Sequence, residues 1–522
     1  MKIYTPTSHL LLISFLFFSG CQISNTDTKS PNRIGYIQPV KSSDIEDSYW
    51  GIQAGSLRDD ILQRASELGV KWTRLQANWP SIEKEIGIYS WESTDKAFET
   101  ALSYGITPFV TLNRGNELYT KPLIQKDQKW IDIYGTRPAP PTNDPASMEA
   151  WLNFVRATVE RYKDRIKYWE IWNEPNHHGY WGVYPNANDY GRLLLESAQL
   201  IKSIDPVAKV IGGATAGMDP DFIDGYLQGG SWKFLDIISY HQYEGEPEER
   251  FIKMLEVRKV IDKYKPSLVT WQGECGRPSH STTTGYHARA PWGLNIQAKW
   301  LLRQAFCDVY LCGSELSNYF VLYSGGDRNE IQKRDFFSIV DSTLGFYREG
   351  EARVRGVGVN EKCILHNPSN TPKPAYYAYQ NLCAAINKEY IPVPIESDIE
   401  VIDQGVFYGL AYNDDAFPSV PIVGNFKKSN GSHAVVYWLP WHGQEYLPEM
   451  AIINLKIKNI NYIDPVLLDL LSGEVSSTKA EKVDSSTLQF KNIPLGDYPI
   501  LILEKSEISI GEKRERISEE DY

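Results

Sequence analysis

The sequence predicts an α/β protein, a (β/α)8 TIM barrel followed by a small all-β sandwich domain. Three observations carry that expectation. Between about Tyr49 and Ser324, short apolar strands alternate with helical stretches in eight units over roughly 275 residues, the rhythm of a parallel barrel. No Gly-rich phosphate loop follows the first strand, which weakens the rival reading of a doubly wound open sheet. From about Val401 onward the pattern changes to short alternating strands separated by turns.

The elements follow in order. "YWGIQA" is the first strand, and "RDDILQRASELG" is a helix with Ile61, Leu62, Ala65 and Leu68 at helical spacing. "VKWTRLQ" is the second strand. "STDKAFETALSYG" is a helix capped by Ser93 or Thr94, and "ITPFVTLN" is the third strand. A long helix opens on Asp144-Pro145, a strong start signal, and leads to the fourth strand "IKYWEIWN". The helix "NDYGRLLLESAQLIKSI" precedes the fifth strand "KVIGGATA", and a short helix precedes the sixth, "LDIISYHQY". Then come "EERFIKMLEVRKVIDKY" as helix and "SLVTWQGE" as the seventh strand. "NIQAKWLLRQAFCDVYLCG" reads as one helix before the eighth strand, "LSNYFVLYS". One more helix, "KPAYYAYQNLCAAINKE", closes the barrel segment. "HAVVYWLPW", "PVLLDLLSGEV" and "LQFKNIPLGDYPILILE" belong to the β-domain. The expected divisions are 1–21 signal, 22–46 flexible tether, 47–390 barrel, 391–506 sandwich and 507–522 charged, frayed tail.

The ends of the chain bear on location. Lys2, the apolar run "LLLISFLFF" and Ser19-Gly20-Cys21 form a secretory signal too short to span a bilayer. "FSGC" resembles a bacterial lipobox, which implies an acylated Cys21 and an exported, membrane-anchored lipoprotein in the periplasm or on the cell surface. The plainer alternative is a signal peptide cleaved near Gly20. The other five cysteines are odd in number and irregular in spacing, so they give neither a disulfide framework nor a zinc signature, and a Cys307–Cys312 pair stays open. The net charge of −12 argues against a nucleic-acid partner.

A barrel of this kind works at the C-terminal ends of its strands. Strand two presents Arg74 there, and strand three presents Asn113 and Arg114. Strand four ends in Asn173-Glu174-Pro175. Strand six offers His241 and Tyr243, two apart and so on one face, and strand seven ends in Glu274. A glutamate closing an apolar run is costly to desolvate unless it has partners or a task. Two carboxyls at one mouth suit glycosidic bond cleavage, in which one donates a proton and the other stays ionised. Arg74 is expected to hold one charged, while a drier setting keeps the other neutral.

"WNEPN" on strand four with "WQGECG" on strand seven resembles clan A of the glycoside hydrolases, and within it family 39, the β-xylosidase-like group with a C-terminal sandwich. The resemblance covers most of residues 49–390. It implies a retaining glycosidase with Glu174 as acid/base and Glu274 as nucleophile. It further implies that Asn173 bonds the sugar 2-hydroxyl, that Arg74 and Tyr243 support the nucleophile, and that His241 lines the site. Where the clan often carries a Trp platform on strand eight, this chain offers Tyr323 or Tyr319.

After strand seven, "CGRPSHSTTTGYHARAPWG" is either an ordinary surface loop or a substrate wall with Arg277, His280, His287, Arg289 and Trp292. Together with Arg114 and Arg328 these arginines form a basic rim on an acidic protein, from which an anionic polysaccharide or oligosaccharide substrate is expected. No organic cofactor is expected, and no metal, since no His/Asp/Glu cluster has metal spacing. The alternatives are a non-catalytic glycan-binding lipoprotein, and a transglycosylase passing the same intermediate to a sugar.

Overall fold

The computed structural model describes residues 32–56, 58–123, 137–182, 184–279, 292–324, 362–366, 369–407, 420–441, 443–447 and 449–515. The expected signal, Cys21, His280, His287, Arg289 and Arg328 lie outside the described residues.

Eight parallel strands close into a barrel: β1 (Trp50–Ile52), β2 (Trp72–Asn78), β3 (Thr107–Asn113), β4 (Tyr168–Ile171), β5 (Lys209–Ala216), β6 (Ile237–His241), β7 (Val269–Cys275) and β8 (Ser317–Tyr319). The predicted fold class is thus borne out. The barrel floor is a cluster of Trp72, Phe109, Ile211, Ile237, Trp271 and Leu316, with Trp271 edge-on to both Trp72 and Phe109. Side chains on a strand repeat their direction every second residue. Two positions beyond this floor therefore come Arg74, Thr111, Glu170, Ser239 and Gly273. Two further still come Asn113 and His241. The interior changes from apolar to polar over one repeat, and the chemistry sits on an aromatic plug.

Two helices differ from expectation. The third-strand helix starts at Glu92 with Trp91 as cap residue and no side-chain cap, not Ser93 or Thr94. Asp95 in its first turn is engaged by Arg161 and Tyr162 from the neighbouring helix, so tertiary contacts hold this start. The helix before β8 is α-helical over Leu294–Phe306 and then widens to a π turn over Cys307–Leu311. Asp308 in that turn is buried and accepts from Gln304 Nε2 (2.6 Å) and Ser317 Oγ (2.7 Å), which ties the turn to β8. The Asp144 start is as predicted: its carboxylate accepts the Ser147 N–H at 3.0 Å, with Pro145 at the first helical position. All five described cysteines are free thiols, Cys307 and Cys312 included.

The sandwich is larger than its C-terminal segment. One sheet has eight strands, ordered Ile391–Val393, Ile422–Lys427, His433–Trp438, Ile500–Glu504, Pro465–Asp469, Glu474–Ser477, Arg33–Ile37 and Ile510–Gly511. The second sheet has four. This corrects two expectations. Residues 33–37 are not tether but a strand paired with Glu474–Ser477, and residues 510–511 of the expected frayed tail pair with its other edge. The alternation in "RIGYI" is short and lies in a polar setting, so its partners are visible only in three dimensions.

The centre of the large sheet is covered on both faces, so every residue of "HAVVYW" is buried, with His433 partnered by Asn425. Val435, Tyr437, Ile500 and Ile502 face the small sheet. Ala434, Val436, Trp438, Leu501 and Leu503 face the barrel helices. Phe306 meets Phe426 edge-on at 5.8 Å, Lys299 Nζ pairs with Asp497 at 2.8 Å, and Arg303 pairs with Glu248 at 2.7 Å while Trp438 Nε1 donates to that same carboxylate. Removing residues from Val401 onward would expose this apolar helix face and strand buried Lys299 without its partner. Such a chain is expected to be insoluble or to melt far below the intact protein. A soluble truncation with an unchanged melting curve would contradict this. No helix of the described residues is long and apolar enough to cross a membrane.

Candidate active site

The polar layer above the floor is organised by Arg74. From β2 it donates to Glu170 on β4 through Nε (2.8 Å) and Nη2 (2.5 Å), to Asn173 Oδ1 (2.9 Å), and through Nη1 to Glu274 Oε2 (2.9 Å). Thr111 Oγ1 donates to the same Glu170 oxygen at 2.7 Å. Both Arg74 and Glu170 are almost wholly buried. Burial alone would push the Arg74 pKa down, but the charges of Glu170 and Glu274 outweigh it and raise it. Sequence reasoning missed Glu170. Its signal was there, a lone carboxylate inside the apolar run Tyr168–Trp172, four residues before Glu174.

The mouth is built from unusual backbone. Arg114, Trp172, Glu174 and Ala214, all at the ends of β3, β4 and β5, have φ of +70°, +69°, +46° and +46°. Non-glycine residues seldom adopt this region, and its clustering at one rim marks a site whose geometry the surroundings enforce. The Glu174 N–H donates to Ala214 O at 2.9 Å, which fixes the turn that brings the carboxyl inward.

Glu274 is held in two places, by Arg74 on Oε2 and by the Tyr243 hydroxyl donating to Oε1 at 2.7 Å. Two donors, one cationic, fix both of its oxygens in place. Glu174 Oε1 lies 3.0 Å from His241 Nδ1. Gly273 makes room for that ring: a Cβ there would sit 2.3 Å from Ser239 Oγ and 3.3 Å from His241 Nε2. Burial pushes the Glu174 pKa up, but the His241 hydrogen bond and charge outweigh it, so the carboxyl lies below its usual value. This corrects the expected drier, neutral setting: the partner that satisfies the buried carboxylate also stabilises its charge. An oxygen of Glu174, an oxygen of Glu274 and a His241 ring nitrogen all lie within 4.8 Å of one another.

These three groups have donor atoms a metal ion can use, contrary to the reading of the spacing alone. The Glu274 oxygens are already engaged, one by the Arg74 guanidinium and the other by the Tyr243 hydroxyl. A cation there would meet the Arg74 charge.

The remaining predicted residues divide. Asn113 is buried at the mouth, with its Oδ1 accepting the Arg114 N–H at 2.8 Å. Asn173 gives its oxygen to Arg74. Arg277 is not a rim residue: it is buried, 3.9 Å over the Trp300 ring with Trp292 on its flank at 5.6 Å, and Nη2 donates to Gly245 O. Trp292 thus packs on a structural stack. Tyr323 is fully buried with Arg58 over its ring, and the Tyr319 hydroxyl donates to Arg277 O. Neither tyrosine is an open platform. The half-buried aromatic beyond β8 is Phe320, whose N–H donates to Cys275 O at 2.7 Å beside the Glu274 strand.

Comparison with known proteins agrees with the motifs. The model of the glycosyl hydrolases family 39 matches residues 82–270, a stretch that includes Asn173, Glu174, His241 and Tyr243 and stops short of Glu274. A β-xylosidase of Geobacillus stearothermophilus is 26% identical over 164 residues, 30% of this chain and 31% of that protein. The aligned stretch is thus under a third of that relative's length. A family 39 glycoside hydrolase from the gut symbiont Bacteroides cellulosilyticus WH2 superposes with a TM-score of 0.60 at 17% identity, covering 90% of this chain and 82% of that one. A monomeric β-xylosidase from Caulobacter crescentus CB15 gives 0.53 at 17% identity, covering 90% and 97%. The chain resembles family 39 in sequence over its central barrel, and shares its fold along nearly its whole length.

Proposed function

We propose that this chain, with its family 39-like barrel, is a retaining glycoside hydrolase that cleaves O-glycosidic bonds of an oligosaccharide or polysaccharide by double displacement. The observation that carries the reading is the Glu174–Glu274 pair with oxygens within 4.8 Å at the ends of β4 and β7. Retaining enzymes hold their carboxyls about 5–5.5 Å apart, whereas inverting ones leave about 6.5–9.5 Å for a water. Glu274, held between Arg74 and Tyr243, attacks the anomeric carbon. Glu174 gives its proton to the leaving oxygen, then takes one from the water that releases the sugar. Asn173, its oxygen held by Arg74, turns its amide N–H groups to the sugar 2-hydroxyl. The test is turnover on a panel of xylosides, arabinosides and glucosides, then polysaccharides, with products resolved by size. Monomer alone means exo action and a ladder means endo. No turnover on any of them would favour a binding protein.

His241 Nδ1 lies 3.0 Å from Glu174 Oε1, so a change at His241 acts directly on the acid. Replacing His241 by Gln removes the main influence that lowers the Glu174 pKa, leaving burial to raise it against the weaker pull of His177 and Arg74. The basic limb of kcat/KM is therefore expected to move to higher pH. An unmoved limb in a folded His241→Gln protein would remove His241 from this role.

The amino-terminal reading is proposed with it: an exported lipoprotein with Cys21 acylated and the barrel held at a membrane surface. Labelled palmitate should enter the full-length chain in a bacterial host and not its Cys21→Ser variant. Equal labelling of the two would end this proposal.

A further inference from the structure

Resting on the glycosidase reading, we infer that Arg114 and Arg137 form a subsite for an anionic substituent of the glycan, a carboxylate or a sulfate ester, beside the acid/base Glu174. The two arginines are far apart in sequence and are brought together by a close backbone approach. Arg114 follows the last residue of β3 in a left-handed turn, with its N–H held by Asn113. Gly115 comes next, and a Cβ there would lie 2.0 Å from Ala139 O. Only glycine lets the rim of β3 touch the 137–139 segment. That segment is pinned by Leu123 N–H donating to Arg137 O (2.5 Å) and Ala139 N–H donating to Lys121 O (2.8 Å).

The pair faces the catalytic rim. The Arg137 guanidinium stands 5.2 Å from the centre of the Tyr180 ring. Tyr180 lies on the short helix His178–Trp181 that follows Glu174, and His177 stacks on His178 and meets the Tyr180 ring at a tilt, 5.6 Å away. His177 senses both ends of this arrangement: burial lowers its pKa, the Glu174 charge opposes that, and the His178 and Arg137 charges add to it.

The setting of Arg114 differs from that of the buried arginines of the barrel: Arg74 is matched by Glu170 and Glu274 and Arg303 by Glu248, while Arg250 donates to Gln304 and Arg277 lies on the Trp300 ring and donates to Gly245 O. Among the described residues no carboxylate lies against Arg114. Burial, and then the Arg137 charge, pull its pKa down. Two guanidiniums in partial burial repel unless an anion sits between them, and a planar fork is the group best shaped to grip carboxylate or sulfate. The expected basic rim is thereby redrawn: Arg277 leaves it for the Trp300 stack, and Arg137 joins it.

The test uses the folded soluble protein and reads binding without turnover. Inorganic sulfate is titrated against chloride at matched ionic strength, and D-glucuronate against D-glucose, by calorimetry and thermal shift. The intact protein should bind at least one anion saturably, and Arg114→Gln and Arg137→Gln should each weaken that binding about tenfold or more. Sulfate alone points to a sulfate ester and glucuronate alone to a uronic acid; either supports the subsite. An intact protein that binds neither anion, or variants that fold and bind as it does, would overturn it. Because no turnover is needed, an inactive protein that binds the anions defeats only the glycosidase reading. An active protein blind to both anions defeats only the subsite.

Discussion

Glu274→Ala should abolish turnover of every substrate, with a loss on the order of 10⁴-fold or more. The residue is held in place by two donors, one on each carboxylate oxygen. Glu174→Ala should behave differently. Aryl glycosides with activated leaving groups need little protonation, so their first step should survive while the intermediate accumulates. Azide fits the space vacated by the Glu174 carboxyl and should speed breakdown of that intermediate, giving a glycosyl azide. The first product should keep its anomeric configuration. Proton NMR showing inversion, or near-native rates for the Glu274→Ala variant, would overturn the assignment of both residues.

Arg74→Met should cost both stability and activity. Arg74 is the counter-charge to Glu170, which is fully buried and, among the described residues, otherwise accepts only from Thr111. Removing one partner of a buried ion pair leaves the other uncompensated, at about 3–5 kcal/mol. A fall in Tm of about 3–5 °C is expected from that loss in a chain of this size. The double variant Arg74→Met/Glu170→Gln no longer carries a stranded charge, so most of the stability should return. Activity should not return, because Asn173 and Glu274 still lack the donor that orients them. A double variant as unstable as the single one would show that the ion pair is not what Arg74 stabilises. A double variant with restored turnover would show that Arg74 does not position the site.

The contrast between these two predictions separates the roles of the polar layers. Glu174 and Glu274 are partly open to solvent, as groups that must meet a substrate are. Arg74 and Glu170 are sealed beneath them on the aromatic floor. The lower pair acts through the upper one by holding it in place, so changes in the lower layer should disturb folding and catalysis together.

By itself the sequence determined the barrel and the two carboxyls at its mouth. Both are local properties of the chain: apolar residues every second position make strands, those every third or fourth make helices, and a strand's last residue lies at the mouth whatever surrounds it. Glu174, Glu274, His241 and Tyr243 were legible for that reason. Only the tertiary structure decided what each charge is worth. Glu170 reads as an anomaly in an apolar strand until Arg74, from 96 residues earlier, arrives beside it. Arg277 reads as a rim cation until Trp300 is packed beneath it. Arg33–Ile37 reads as tether until Glu474–Ser477 supplies the partner strand. The physical reason is common to all three. The energy of a charge or an unpaired strand edge is set by the groups within a few ångströms, and in a barrel with an interlocked sandwich those groups come from distant parts of the chain.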